Sequence, residues 1–172
     1  MRIVAGKWRG RRIDAPKDDV RPTGDRVREA WMSIVHPWLA GARVLDLFSG
    51  SGALGLEALS RGAEVVDFVE QSPRSLSALR ANAALLGAGP EAVIHRADAL
   101  RFAADLPAHA YDVAFADPPY DLGLATALAE VWMTTPFADI LGIEHRFNEQ
   151  LPGNGERRKY GGTVITFFRV GG

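Results

Sequence analysis

Two short segments hold residue types suited to chemistry. In Leu45-Asp46-Leu47-Phe48-Ser49-Gly50-Ser51-Gly52-Ala53-Leu54-Gly55, three glycines stand in GxGxxG spacing just behind an acid, and Glu70 follows 20 residues after Gly50. Glycines let a backbone approach a ligand, and an acid at that distance can accept hydrogen bonds from ribose hydroxyls, so the pattern points to an adenosine-containing ligand. The same spacing also serves a turn needed only for packing. Asp46 narrows the chemistry. A carboxylate four residues before Gly50 would repel a dinucleotide's pyrophosphate, but it suits the amino group of a zwitterionic tail. S-adenosylmethionine has such a tail, no phosphate and a positive sulfonium, and it fits better than a dinucleotide. Otherwise Asp46 caps a nearby backbone amide.

The second segment is Asp117-Pro118-Pro119-Tyr120. Two prolines stiffen the chain and remove two N–H donors, leaving carbonyls as acceptors. A rigid corner with a carboxylate and an aromatic ring suits a planar exocyclic amine. Asp117 and the Pro118 carbonyl would accept its N–H bonds, and Tyr120 would stack on the base. The plainer alternative is a turn whose ring packs on the domain.

The chain has no cysteine. That excludes disulfides, thiolate metal sites, the thiolate adduct used at cytosine C5 and the His/Cys/Cys zinc site of base deaminases. The four histidines, His36, His95, His109 and His145, form no short ligand pattern, which argues against structural zinc. A nitrogen target needs no covalent intermediate, and guanine and adenine amines both suit the clamp.

The motifs need elements to hold them. Arg43–Phe48 reads as a buried strand, 50–55 as a tight loop and 53–60 as a helix start. Glu64–Glu70 is a second strand, and Ser72-Pro73 opens a helix with Leu76, Leu79, Ala83 and Leu86 on one stripe. Ala92–His95, Tyr111–Ala116 and Ile140–Glu144 read as further strands. Asp98 to about Asp105 is a short helix or turn, 122–133 a helix and Thr163–Phe168 a closing strand. Residues 145–162 read as a loop. Thr23 caps a helix carrying Val27, Ala30, Trp31 and Ile34, on which Arg28 shares the polar side with Glu29 or pairs with Asp25. Repeating βα units predict an α/β domain with a mostly parallel sheet covered on both faces.

Charge is unevenly placed. Residues 1–30 carry a net charge of +4 and the remainder −5, and residues 1–12 hold five basic groups and no acid. Such a patch suggests an anionic partner, nucleic acid included, although a solvated charged terminus would look the same. Residues 1–13 read as a glycine-punctuated ribbon and 14–22 as a loop. Trp8 serves either as core or as a stacking platform, and the arginines either meet phosphates or pair with Asp14, Asp25 and Glu29. No apolar run is long enough to span a membrane and no signal-peptide core is present, so a cytoplasmic protein is expected.

These residues resemble the class I S-adenosylmethionine-dependent methyltransferases and, more narrowly, the bacterial 16S ribosomal RNA guanine-N2 methyltransferases. The likeness runs through Arg2-Ile3-Val4-Ala5-Gly6-Lys7-Trp8-Arg9-Gly10-Arg11, Arg21-Pro22-Thr23, Asp25-Arg26-Val27-Arg28-Glu29, the stretch from Asp46 to Ala63 and Asp117–Tyr120. The glycine loop alone marks the superfamily; the Arg21–Glu29 segment together with Asp117–Tyr120 is more specific. The resemblance implies a Rossmann-like sheet, mostly parallel with a late antiparallel strand, plus a small basic N-terminal β-ribbon. It implies a basic extension at 1–22 and a catalytic unit at 23–172.

By that resemblance Asp46, Phe48, Gly50, Ser51 and Gly52 lie along S-adenosylmethionine, Glu70 holds its ribose, and Asp98 and Ala99 meet its adenine. Asp117, Pro118, Pro119 and Tyr120 form the catalytic corner. Lys7, Trp8, Arg9, Arg11, Arg12, Arg21, Arg26 and Arg28 hold RNA. The implied partner is 16S ribosomal RNA, free or in a small-subunit particle, met by a monomer. Residues 145–162 depart from the family pattern, with Glu144-His145 followed by a short glycine-rich stretch. Two other classes stay open: a nicotinamide oxidoreductase, with no role for Asp117–Tyr120, and a non-catalytic RNA-binding module, indifferent to Asp117.

Overall fold

The computed structural model describes residues 1–15 and 24–171, so Arg21 and the Thr23 cap lie outside the described residues. Helix α1 spans Gly24–Val35 and buries Val27, Trp31, Met32 and Val35, one stripe at helical spacing. The chain then alternates β1 (Arg43–Leu47), α2 (Ala53–Ser60), β2 (Val65–Glu70), α3 (Pro73–Leu86), β3 (Ala92–Arg96), α4 (Ala99–Ala104), β4 (Tyr111–Ala116), α5 (Leu124–Thr134) and β5 (Ala138–Arg146). It closes with β6 (Glu156–Tyr160) and β7 (Thr163–Arg169).

The seven strands among the described residues form one sheet in the order β3-β2-β1-β4-β5-β7-β6. Neighbours from β3 to β5 run parallel, whereas β7 is antiparallel to both β5 and β6. The central strands are buried on both faces, which is why they read as predominantly apolar runs, each broken by one aspartate. One face, with Val44, Val66, Phe68, Val113 and Phe115, packs against α1, α2 and α3. The other, with Leu45, Leu47, Val69, Ala114 and Leu141, packs against α4 and α5.

Residues 145–162 are not one loop. Strand β5 continues through His145, which is buried and bonds Thr166 of β7 at 2.6 Å, and Glu156–Tyr160 is a strand. The reading failed because Glu156-Arg157-Arg158-Lys159 lacks apolar alternation. β6 is an outermost strand with its side chains exposed, so charged residues cost nothing there and blunt the free edge.

The N-terminal ribbon forms as expected. Arg2 bridges Arg12, and the Ile3 N–H donates to the Arg11 carbonyl at 2.9 Å. Its Ile3, Trp8 and Ile13 are buried in the same cluster as α1–α3. Among the described residues no helix is long and apolar enough to cross a membrane.

Candidate active site

The chemistry-bearing residues meet at the carboxyl ends of the parallel strands. Asp46 is next to last in β1, Glu70 ends β2, Asp98 follows β3 and Asp117 follows β4. β1 and β4 are adjacent, and the chain leaves them to opposite sides of the sheet. This is the switch point, where open α/β sheets leave a crevice for ligands.

The glycine loop is held by the two acids. Glu70 Oε1 accepts from the Gly50 N–H at 2.9 Å, while Oε2 accepts from Gln71 and Ser72 at 3.0 and 2.8 Å. Asp46 Oδ2 accepts from the Gly55 N–H at 3.0 Å. Gly52 caps α2 at φ 88°, a conformation that disfavours other residues. Gly55 is required for space, since a Cβ there would lie 2.3 Å from the Phe68 ring and 2.9 Å from Asp46 Oδ2. Asp98 caps α4 by accepting from the Arg101 N–H at 2.9 Å, and Ala99 is buried at that helix's start.

Asp46 is only 2% exposed. Burial pushes its carboxyl well above the usual carboxylate range. The Gly55 bond offsets part of this, and the neighbouring Asp117 and Glu70 carboxylates push it further up. A buried carboxyl crowded by two further acids reaches its charged form most readily beside a cation, so the site favours a positive ligand. Beside Gly50, the position of a Cβ has no heavy atom within 4 Å, so the loop there faces open space. A buried carboxylate, an open glycine backbone and no basic residue in the loop sequence suit a ligand with an ammonium and a sulfonium and no phosphate. The donor set fits S-adenosylmethionine.

Asp117-Pro118-Pro119-Tyr120 turns outward from β4. Pro118 is buried, Pro119 exposed, and Asp117 and Tyr120 half-buried. The Tyr120 hydroxyl donates to Glu144 Oε2 at 3.2 Å and meets Thr163 Oγ1 at 2.5 Å, which fixes the ring against β5 and β7. The Arg146 guanidinium lies 4.6 Å from the ring centroid and bonds Asp121 Oδ1 at 3.1 Å. A stacking base therefore has one ring face already taken. Of the three described non-glycine residues with positive φ, Phe48 at 56° lies within the glycine-loop segment and Asp121 at 66° directly follows the Asp117–Tyr120 corner. Backbone strain of this kind is stored where a site needs a particular shape.

The basic residues divide. Lys7, Arg9, Arg11, Arg12 and Arg26 are exposed, although Arg11 Nη2 is committed to the Leu85 carbonyl at 2.7 Å. Two expected RNA contacts are corrected. Trp8 is 8% exposed and packs in the core, with Lys7 Nζ 4.5 Å from its ring centroid, so it offers no stacking platform. Its two apolar neighbours in the ribbon, Ile3 and Ile13, go in with it because the ribbon docks through that face. Arg28 is 6% exposed, not on the polar side with Glu29. It donates to the Arg2 carbonyl at 2.8 Å and lies 3.7 Å from both Asp25 and Glu57. Burial between two acids spends its charge inside the protein.

Sequence reasoning missed the ribbon's anchor. Glu57, fully buried on α2, accepts from the Val4 and Ala5 N–H groups at 2.9 and 3.1 Å and from Arg61 Nε at 3.0 Å. Ser60 accepts from the Trp8 N–H at 3.0 Å and donates to the Ala5 carbonyl at 2.6 Å. The available signal was one acid in an otherwise apolar helix, four residues before an arginine. Arg146, Glu144 and Thr163 were missed because only strand pairing brings them to Tyr120.

This sheet order, with a glycine loop at the switch point and an acid near the carboxyl end of each of the first two strands, is the class I methyltransferase architecture. A solved candidate methyltransferase, yhhF from Escherichia coli, superposes with a TM-score of 0.85 at 31% identity, covering 98% of this chain and 97% of that one. Ribosomal RNA small subunit methyltransferase D of E. coli K12 is 41% identical over 125 residues, 72% of this chain and 62% of the relative's length. The protein of the same name from Haemophilus influenzae is 40% identical over 73% of this chain and 66% of its own length. The family described as conserved hypothetical protein 95 matches residues 1–169, and the chain belongs to it.

Proposed function

We propose that the protein transfers the methyl group of S-adenosylmethionine to the exocyclic N2 amine of a guanine in 16S ribosomal RNA. The observation that carries this is the juxtaposition at the switch point: the rigid Asp117–Tyr120 corner ends the strand beside the one that bears Asp46, close enough for the two carboxylates to repel. The named relatives act on ribosomal RNA of the small subunit, which supports the RNA class. The choice of guanine over adenine rests on the family resemblance.

When bound, S-adenosylmethionine supplies a methyl group activated by a positive sulfonium. Asp46 and Glu70 hold the loop along it, Asp46 facing its ammonium and Glu70 its ribose, with Asp98 and Ala99 at the adenine. The amine of guanine is a poor nucleophile because its lone pair is delocalised into the ring. Asp117 and the Pro118 carbonyl accept its two N–H bonds, which aims the lone pair outward, and the Asp117 carboxylate stabilises positive charge growing on nitrogen. Tyr120, pinned by Glu144 and Thr163, supports the base on the ring face opposite Arg146. The segment 1–22 acts as the RNA-holding extension of the unit 23–172, through Lys7, Arg9, Arg11, Arg12, Arg21 and Arg26. We place the reaction in the cytoplasm, with the protein acting as a monomer.

Radiolabelled transfer to naked 16S ribosomal RNA and to small-subunit particles, followed by nucleoside analysis, tests the reading. N2-methylguanine is the expected product. N6-methyladenine, or no transfer to either substrate, overturns it.

Two predictions follow from the charges. Asp46→Asn keeps an acceptor for the Gly55 N–H and removes a buried ionisable group. Because the folded-state pKa of Asp46 is raised, the native protein holds that proton to higher pH than the unfolded chain, and stability drawn from the neutral form is lost as pH rises through the folded value. The variant is therefore expected to melt at or above the wild-type temperature at pH 7. Its advantage should shrink as pH falls towards the carboxylate range, and S-adenosylmethionine affinity should drop about tenfold or more. Melting curves from pH 5 to 8 and calorimetry check this; a lower melting temperature with unchanged affinity contradicts it.

Reversing Arg9 and Arg12 to Glu is expected to weaken RNA binding and to reduce the slope of log affinity against log salt by about 1–2. Cofactor affinity should not move. An unchanged slope shows that these arginines do not meet phosphates.

A further inference from the structure

Asn82 falls on the apolar stripe of α3, between Leu79 and Ala83, and is 1% exposed. A primary amide on a core stripe is tolerated only when its polar atoms are paired. Here they pair in two directions. Oδ1 accepts from the Asp14 N–H at 2.9 Å and Nδ2 donates to the Asp14 carbonyl at 2.7 Å, so the side chain reads the backbone of Asp14 as a neighbouring strand would. Nδ2 also donates to the Ser51 carbonyl at 3.0 Å. Asp14 is where the basic ribbon leaves its docked face. Ser51 lies between Gly50 and Gly52 at the tip of the loop. One buried amide therefore joins two segments 37 residues apart in sequence, each assigned to a different ligand.

Two neighbours reinforce the arrangement. Leu79, on the same face, packs so close under Gly52 that a Cβ there would lie 2.3 Å from its Cδ1. Near the helix end, the Leu85 carbonyl accepts from Arg11. The same helix thus sets the height of the loop and the position of the ribbon.

We infer that Asn82 is a positioning residue that keeps the RNA-holding ribbon in register with the methyl-donor loop, so that ordering of the loop is transmitted to the ribbon. The inference rests on the methyl-transfer reading above. By linkage, a ligand that orders Ser51 must also favour the paired state of Asp14, and the reverse.

Amide hydrogen exchange with and without S-adenosylhomocysteine tests it without catalysis. In the wild type the ligand is expected to slow exchange at 50–52 and, across Asn82, at Asp14 by about tenfold. In Asn82→Ala the loop is still protected and the gain at Asp14 disappears. Because the readout is a ratio with and without ligand, a uniform loss of stability does not mimic it. Asn82→Asp, which keeps the volume and the acceptor but loses both donated bonds, should behave the same way if the alanine variant fails to fold. In either variant kcat on RNA should fall about tenfold while the KM for S-adenosylmethionine stays within about threefold. A preserved gain at Asp14 in a folded variant overturns the inference, as does a protected wild-type loop with no change at Asp14. No protection of the wild-type loop overturns the cofactor reading, and the inference with it.

Discussion

Replacing Asp117 by alanine is expected to cut kcat by about 10²–10³ while leaving the fold and S-adenosylmethionine affinity nearly intact. The reason lies in when the bond acts. A carboxylate accepting from a neutral amine contributes little to ground-state binding. It contributes more as nitrogen becomes cationic, so the loss falls on the transition state and therefore on kcat. Removing Asp117 also relieves a repulsion on Asp46, so cofactor binding should not suffer. Asp117→Asn retains a carbonyl acceptor without the charge and should keep part of the rate. Tyr120→Ala differs in kind. It removes the ring and leaves the Glu144 and Thr163 side chains without their shared hydroxyl partner, so the base is held loosely and KM rises as kcat falls. Single-turnover kinetics with saturating cofactor separates these cases. Wild-type kcat in Asp117→Ala refutes the role assigned to the corner.

Glu70→Ala should weaken S-adenosylmethionine binding by roughly 1.5–3 kcal/mol, the value of charge-assisted hydrogen bonds. The structure adds a second cost. The Gly50, Gln71 and Ser72 N–H groups all lose their acceptor, so the loop keeps only the Ser49–Val69 tie to β2 and the start of α3 is loosened. A lower melting temperature is expected beside the weaker binding. Glu70→Gln isolates the loop tie: its one oxygen can still serve Gly50, while the Gln71 and Ser72 N–H groups lose their acceptor and affinity for the ribose falls with the charge. Calorimetry on folded variants decides, and an unchanged dissociation constant in Glu70→Ala removes Glu70 from the cofactor site.

The doubly covered sheet and the contents of its carboxyl edge follow from local sequence alone. Predominantly apolar runs at 44–47, 65–69 and 111–116 favour burial on two faces, and the glycine spacing requires a tight turn into a helix. Ser72 and Asp98 announce helix starts that α3 and α4 obey, each side chain accepting from the N–H three residues on. These are local signals, set by covalent geometry and near neighbours, and they survive without knowledge of the rest of the chain. The acids at the ends of β1 and β2 and the corner after β4 were legible for the same reason.

Which polar side chains face inward is set by packing between segments distant in sequence. The sequence left Trp8 open between core and stacking platform, and Arg28 between the polar side of α1 and a pairing with Asp25. Docking of the ribbon onto α2 buries both, because Glu57 offers Arg28 a charge and the Val4 and Ala5 amides an acceptor. Strand β6 escaped notice because an exposed edge imposes no apolar alternation. Arg146 reaches Tyr120, and Asn82 reaches Asp14 and Ser51, only through pairings between residues far apart in sequence. Such contacts leave no periodicity. They depend on where the backbone of another segment arrives, and a buried polar group is tolerated there only once that partner is in place.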